Sequence, residues 1–553
     1  MDQIGTAATR ICNNNKVATI GDNNIHSVEK LYLKEELPHD PRRQPRATFQ
    51  RHHLPGDICH TIKKSPRAKG AGANGDTLDV FRDLVSLNIA EVNEDIRQLC
   101  DIVFNAVVPT EVEQYFTDTY LFCLYKDPED LSKLRPLGIP LALRRLVATH
   151  VAAYYRQRFA QKLLPINYAI GIDGGMDFVI KTMQLSIEKY IQEPQEDEAN
   201  PKLPTRAAVF VDLTNMFNNI SRKELLDIVQ ECFPELVPMA RLLYGLPGSV
   251  RFRWNDGSWK SINMLEGVNQ GCPLSAIFAA LVLDRVLRPL DTMLRQRAAD
   301  RLASGDSGDD GFGSISHLFG YVDDNSSCVP LVDLAFFFAK LVELGMSLGC
   351  LLNKFKTRIL TSCNGESILP ELRRINPTLA AEVEATLREY SVEKNTADPE
   401  GPPSMVELTS GFRLLGTPVG SPEFAEEFFE EQLKEVRRNI ASLHAGVPDL
   451  QTRLRMFTQC IIQKLPHLLG ADIMHRLPMD FQAEGWQQWN GPLTSEIDKL
   501  VRQFLATIAG RETIPEYAAL IAQLSVAHGG LGILYAGQRA APDFVLTMTA
   551  AAR

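Results

Sequence analysis

The stretch Ser314–Pro330, SISHLFGYVDDNSSCVP, decides how this chain is read. An apolar run from Ile315 to Tyr321 leads into Val322, Asp323 and Asp324, and a second run of small and apolar residues follows from Ser326 to Val329. The pattern predicts strand, tight turn, strand, with two adjacent carboxylates at the tip. Asp is common in turns, so the pair taken alone fits a solvated turn that caps its own backbone. Adjacent like charges repel, however, and a site that keeps both ionised wants a cation beside them. Hard divalent cations such as Mg²⁺ take carboxylate oxygens and keep positions open for phosphate. A third carboxylate and phosphate-handling groups should then exist elsewhere in the chain.

Upstream, AAVFVDLTNMFNNISRKELLDIVQECF supplies the third carboxylate. Ala207–Val211 predicts a buried strand with Asp212 at its end. Ser221 with Glu224 three residues later is a capping box that starts a helix at Arg222. RFRWNDGSWKSINML predicts a hairpin turning at Asn255-Asp256-Gly257. It feeds GVNQGCPLSAIFAALVLDRVLRPL, where Gly267 and Gly271 flank Gln270 and Pro273 is placed to open a long helix. Glycines there allow close approach of backbone to a ligand; an ordinary loop-to-helix junction reads the same way. Downstream, GCLLNKFKTRILTS gives a loop carrying Lys354 and Lys356 and then a strand, and GFRLLGTPVGS predicts a tight hairpin.

Nearer the N-terminus, a strand from Tyr120 to Tyr125 ends at Lys126, and a loop leads to Arg135-Pro136. The helix that follows carries Arg144, Arg145, Arg156 and Arg158, which fits either a solvated face or a phosphate-facing one. Met1 to about Gly75 is polar, broken and basic in clusters, which predicts a disordered tail. Its group His52, His53, Cys59, His60 matches no standard zinc spacing. Glu193–Asn200 predicts an acidic linker, the stretch near 301–313 predicts a flexible insertion, and the stretch near 366–405 a second, partly helical one.

The chain has 553 residues, 45% hydrophobic, which is enough for a large core and several subdomains. No run reaches the length of a membrane span. Ten scattered cysteines without a C-x-x-C pair fit a reducing compartment. The N-terminus has no secretory pattern, so an intracellular site is expected, nuclear or cytoplasmic alike. A net charge of −10 excludes a broadly basic surface but not a local basic groove.

In this order the segments resemble reverse transcriptases, in particular those of non-LTR (LINE-type) retrotransposons. FVDLTNMF, GVNQGCPLS, FGYVDD, LLNKFKT and FRLLGTPVG resemble successive palm motifs, and LYK with RPLGIP resembles finger strands. GANGD (Gly72–Asp76) and GGLGI (Gly529–Ile533) resemble flanking segments; Asn215 and Asn269 depart from the commoner pattern. The resemblance implies an α+β right-hand polymerase, with fingers over 76–200, a palm with an antiparallel sheet over 201–421 and a helical thumb over 422–553. It implies an RNA-directed DNA polymerase with Asp212, Asp323 and Asp324 as ligands of two Mg²⁺ (or Mn²⁺) ions and Lys356 as a proton donor. Lys126, Arg135, Phe217, Gln270, Gly271 and Tyr321 would meet nucleotide or template, Phe217 lying under the sugar. The partners implied are an RNA template, a DNA primer and deoxynucleoside triphosphates, with no membrane. The stretch before the fingers is shorter than an endonuclease domain, and no Cys/His knuckle follows the thumb. Two other readings are an RNA-dependent RNA polymerase and a domesticated nucleic-acid-binding remnant without catalysis. Tyr321-Val322 before the Asp pair and an intact set of carboxylates count against them.

Overall fold

A computed structural model describes residues 17–18, 20–21, 24–32, 51–65, 75–125, 134–192, 203–304, 317–395, 401–462, 469, 492–533, 535–536 and 539. Lys126, the linker 193–200, most of 301–313 and much of the N-terminal basic stretch lie outside the described residues.

The fold is α+β, with helices packed around two largely antiparallel sheets. The strands are β1 (Val17–Ala18), β2 (Thr119–Tyr125), β3 (Leu134–Ile139), β4 (Arg206–Val211), β5 (Gly248–Arg253), β6 (Trp259–Met264), β7 (His317–Tyr321), β8 (Asp324–Pro330), β9 (Arg358–Leu360), β10 (Val392–Glu393), β11 (Ser404–Met405), β12 (Gly411–Leu414) and β13 (Thr417–Gly420).

The central sheet runs β7-β8-β4-β9. Strand β4 pairs antiparallel with β8 from Arg206↔Pro330 to Val211↔Asn325, and with β9 on its other side. Side chains alternate across a strand, and here both faces are covered. Ala207, Val209, Leu318, Val329 and Ile359 enter the main helical core, which includes the long helix Ser275–Ala303 and the helix Leu334–Met346. Ala208, Phe210, Phe319, Cys328 and Leu360 enter a second core with the helix Gly175–Ile187 and the hairpin β12–β13. A strand buried on both faces reads as a continuous run of small and apolar residues, which is what RAAVFV is.

The other sheet runs β1-β2-β5-β6, with β3 on β2. One face only is packed, with Leu121, Cys123, Leu134, Val250, Phe252 and Ile262 in its core. The hairpin β5–β6 turns at Asp256-Gly257 as expected, with Gly257 at φ +83°. It joins β2 through the pairs Thr119↔Val250 and Tyr120↔Arg251, so the segment after residue 201 shares this sheet with the segment before it.

Three expectations are corrected. Residues 17–32 and 51–65 are not a tail: β1 pairs with β2, the helix Ile25–Tyr32 buries Val28 and Tyr32, and the helix Ile58–Lys64 buries Ile58, Cys59 and Ile62. Arg144 presents no phosphate-facing charge. It is fully buried, donates to the Phe116 carbonyl and lies 5.2 Å from the Tyr244 ring centroid. Pro273 does not open the long helix, which begins at Ser275, because turns closed by Cys272 N–H to Asn269 O and Ser275 N–H to Cys272 O occupy that stretch. The segment near 366–405 is partly helical, as expected. Its helices Leu369–Ile375 and Pro377–Tyr390 put Leu369, Leu372, Ala380, Val383 and Leu387 into the main core.

The C-terminal part is helical, as expected. Ser421 caps the helix Pro422–Gly446 by accepting from Phe424 N–H. That helix builds its own core with the helix Pro492–Ile508, including a Phe457–Phe504 stack at 3.7 Å.

Candidate active site

Pairing of Val211 with Asn325 brings Asp212, the next residue, out beside Asp324. Alternation points Asp212 and Asp324 to the face that carries Phe210 and Cys328, which is the face under β12–β13. A cleft of ≈ 320 Å³ opens there, lined by Asp212, Asp324, Lys356, Phe412, Arg413 and Gly416 among others. Phe210 stacks on Phe412 at 4.3 Å and fixes the hairpin over the sheet. That hairpin turns through Leu415 (φ +48°) and Gly416 (φ +89°), the left-handed pair that a two-residue type I′ turn demands.

The carboxylate turn is tight. Tyr321 pairs with Asp324, leaving Val322 and Asp323 as the loop, with Val322 at φ +59°. A β-branched residue in that region is strained, by about 1–3 kcal/mol, and persists only where the surroundings fix it. Four hydrogen bonds do so. Gly320 N–H donates to Ile166 O (2.7 Å) and Tyr168 N–H to Gly320 O (2.9 Å). The buried Asn167 amide donates to Val322 O (3.3 Å), and the Asn325 amide to Asp323 O (3.1 Å). A Cβ on Gly320 would lie 2.9 Å from the Asn167 amide nitrogen, so glycine is what lets residues 166–168 close on the strand.

Asp212 is held from the other side. Asn353 Nδ2 donates to its Oδ1 (2.9 Å), Lys356 Nζ stands 3.4 Å from its Oδ2, and its own N–H reaches Thr357 Oγ1 (3.3 Å). The three carboxylates feel one another. Burial raises Asp323 above the usual carboxylate range, and the charge of Asp212 adds to it. Asp324 keeps solvent access at its tip, yet the protein around it desolvates the charge. It is pushed up to about 6, by desolvation first and then by Asp323 and Asp212, with Lys356 opposing.

Mutual repulsion among hard oxygen donors is what a divalent cation relieves, so the donor set fits Mg²⁺ or Mn²⁺. Among the described residues no three His, Cys, Asp or Glu side chains are grouped closely enough to hold a metal ion by themselves, and each Asp212 oxygen accepts one hydrogen bond, from Asn353 and from Lys356.

Phe217, half-buried, sits in the short helix Met216–Asn219, and its carbonyl accepts from Val268 N–H (2.6 Å). That contact docks Gly267–Ser275 on the strand end that bears Asp212. Gln270 is exposed at the turn, and a Cβ on Gly271 would lie 2.1 Å from Gly138 O, so the turn is pressed on β3. Arg135 is exposed on β3, opposite Leu124. Neither Arg135 nor Gln270 makes a hydrogen bond or ion pair to the carboxylates. Tyr321 is half-buried at the turn, and Lys126 lies outside the described residues.

Sequence reasoning assigned no role to Asn353, Asn167 or Arg222. Arg222 is buried, donating from Nε to Gly267 O (2.9 Å) and from Nη1 to Leu246 O (2.9 Å). Asn353 lay inside a noted motif and could have been found; Asn167 gave no local signal.

No protein-family model matches the chain, and no curated protein matches it in sequence. Among solved structures it is similar to a telomerase from Candida albicans in complex with a fragment of telomeric RNA, at 12% identity and a TM-score of 0.34, over 75% of this chain and 67% of that one. A telomerase from Candida tropicalis shows 11% identity and a TM-score of 0.37, over 80% of this chain and 65% of that one. A form of the latter truncated of its C-terminal domain shows 15% identity and a TM-score of 0.30, over 54% and 59%. The chain thus spans between 59% and 67% of these proteins' lengths.

Proposed function

We propose that this chain is an RNA-directed DNA polymerase of the reverse-transcriptase kind, adding deoxynucleotides to a primer 3′-end on an RNA template. One observation carries the reading: strand register sets Asp212 beside the Asp323–Asp324 turn, on the side of the sheet where a cleft opens under a hairpin. In this reading the central sheet is the palm, the partly open sheet belongs to the fingers, and the helices after Pro422 are the thumb. The finer assignment, to non-LTR retrotransposon enzymes, rests on the motif order alone.

Two Mg²⁺ or Mn²⁺ ions held by Asp212, Asp323 and Asp324 would supply the charge that activates a primer hydroxyl and offsets the leaving pyrophosphate. The chain's own groups do the rest. Asn353 and Asn167 fix the two carboxylate-bearing backbones from opposite sides, so little reorganisation is needed when charge develops. Lys356, released from Asp212, is placed to donate a proton to the pyrophosphate. Arg135 offers a planar fork to phosphate, and Lys126 a point charge. Gln270 and Gly271 border the nucleotide through their docking on Phe217 and β3, and Tyr321 closes the turn. Phe217 lies under the sugar and offers a 2′-hydroxyl no hydrogen bond.

The test is primer extension on an RNA template with Mg²⁺ and deoxynucleotides. Extension with deoxynucleotides but little with ribonucleotides is expected. Equal use of both sugars would favour an RNA polymerase, and template binding without extension would favour a non-catalytic remnant.

A further inference from the structure

The loop that holds Asp212 carries a second feature the chemistry above does not use. Asn353 and Lys356 face the carboxylate, but Lys354 and Phe355 between them are exposed, Phe355 at 36% of its surface. Lys354 Nζ lies 5.5 Å from the Phe355 ring centroid. A second ammonium comes from a distant part of the chain, with Lys394 Nζ 5.8 Å from the same centroid.

The arrangement is built across two segments. Val392 N–H donates to Lys354 O (3.2 Å), and Arg358 Nη1 donates to Val392 O (3.3 Å), which ties β10 to this loop and brings Lys394 over. Among the described residues no carboxylate forms an ion pair with Lys354 or Lys394, whereas Lys356 is paired with Asp212. In a chain of net charge −10, two such ammoniums around one exposed ring form a local positive field.

We propose that Phe355, Lys354 and Lys394 form a capture site for nucleoside triphosphates at the rim of the carboxylate cleft. An exposed aromatic ring offers a stacking surface to any nucleobase, and ammoniums serve phosphate as point charges. Charge matching selects the occupant. A triphosphate concentrates about four negative charges in one place, while a strand carries one per nucleotide, too sparse to need two lysines on a single ring. Lys356, two positions of chain at most from either loop residue, would take over the polyphosphate as it leaves Asp212. The use of the site in polymerisation rests on the function proposed above; the binding does not.

Calorimetric titration of the full chain, without primer or template, tests this with three probes: dATP, inorganic tripolyphosphate and a dT oligonucleotide. The variants are K354A/K394A and F355A, all at exposed positions. The double variant should lose about tenfold in affinity for dATP and for tripolyphosphate, as two surface charge contacts allow. F355A should weaken dATP alone. Affinities for dATP within twofold of the unaltered chain in both variants would overturn the proposal. So would a loss confined to the oligonucleotide, which would make the occupant a strand. Primer extension separates the two readings: lysine-dependent dATP binding without extension keeps the site and removes the polymerase, and extension with unaltered dATP affinity in the variants does the reverse.

Discussion

The two sheets of this molecule are built on opposite plans. In the central sheet every residue of β4 is buried, and its neighbours feed one core above and another below. In the other sheet β2 and β5 alternate between buried and open positions, because only one face is packed. A sheet covered on both faces has no surface to offer a ligand. Its polar side chains can act only where strands end, and there Asp212, Asp323 and Asp324 sit. A sheet covered on one face offers the other, and Arg135 stands there. The ends of a doubly covered sheet are rigid, which suits groups that must be held to fractions of an ångström. An open face suits groups that only attract or position.

If this division holds, damage at the strand ends should act on the chemical step. Asp212→Ala or Asp323→Ala should cut primer-extension turnover by about 10²–10³-fold, with template affinity, read by filter binding, changed by less than about twofold. Equal losses in turnover and template affinity would mean that the carboxylates are structural. A further cut comes from the sugar side. Phe217→Val should raise ribonucleotide use relative to deoxynucleotide by about tenfold in kcat/KM, since the cost of burying an unpaired 2′-hydroxyl against a ring would be relieved. Phe217 is also packed on the main core. If that is its whole role, both sugars will suffer together and their ratio will not move.

Damage on the open face should be milder. Arg135→Ala should raise the nucleotide KM by about three- to tenfold, as loss of one solvent-exposed phosphate contact allows, and leave kcat nearly as it was. A fall in kcat as large as that of Asp323→Ala would erase the contrast between the two sheets.

Much of the central sheet was legible in the residues. RAAVFV runs into Asp212, the turn carries Asp-Asp, and strand propensity with turn chemistry places both; Ser221 accepts from Glu224 N–H as the spacing required, but its own N–H goes to Leu348 O, so only half of the capping box formed. Apart from β1, which read as tail, the partly open sheet was legible strand by strand but not as a sheet. Nothing local in TYLFCLY or in GSVRFR announces that the two will pair, because that pairing joins positions more than a hundred residues apart. Charge misled in one place. Arg144 reads as surface, yet it is buried over Tyr244, because a long side chain can donate to a carbonyl at its tip and lay its guanidinium on a ring. Of the holding groups at the site, Asn353 sat inside a motif and could have been read from it, whereas Asn167 was invisible, since an Asn that bonds a neighbour in space looks like any loop Asn.

The smallest expected effect separates the two ends of one hairpin. His317 opens β7 and Asp324 opens β8, at opposite ends of the pair, and their electrostatics differ in sign. Burial, and then Arg206, Arg295 and Lys189, lower His317 to about 4, with Asp291 opposing weakly. Its folded pKa lies below the unfolded value of about 6.5, so its contribution is whole above that pH and is lost as pH falls toward 4. Asp324 is the reverse. Its folded pKa of about 6 exceeds the unfolded value of about 3.9, so its contribution is present below about pH 4 and is lost as pH rises toward 6. The two slopes oppose across the same window, and the larger His317 part should win, so that metal-free protein gains stability between pH 4 and 6 less steeply than His317 alone would make it. Asp324→Asn should leave the His317 slope exposed, so that stability climbs with pH. His317→Gln should leave the Asp324 slope, so that stability declines. Solvent screening keeps the Asp324 part below about 1 kcal/mol. Thermal melts in EDTA at intervals across the window read the slopes directly. Two variants with the same slope as the unaltered chain would show that neither end of the hairpin titrates as its surroundings require.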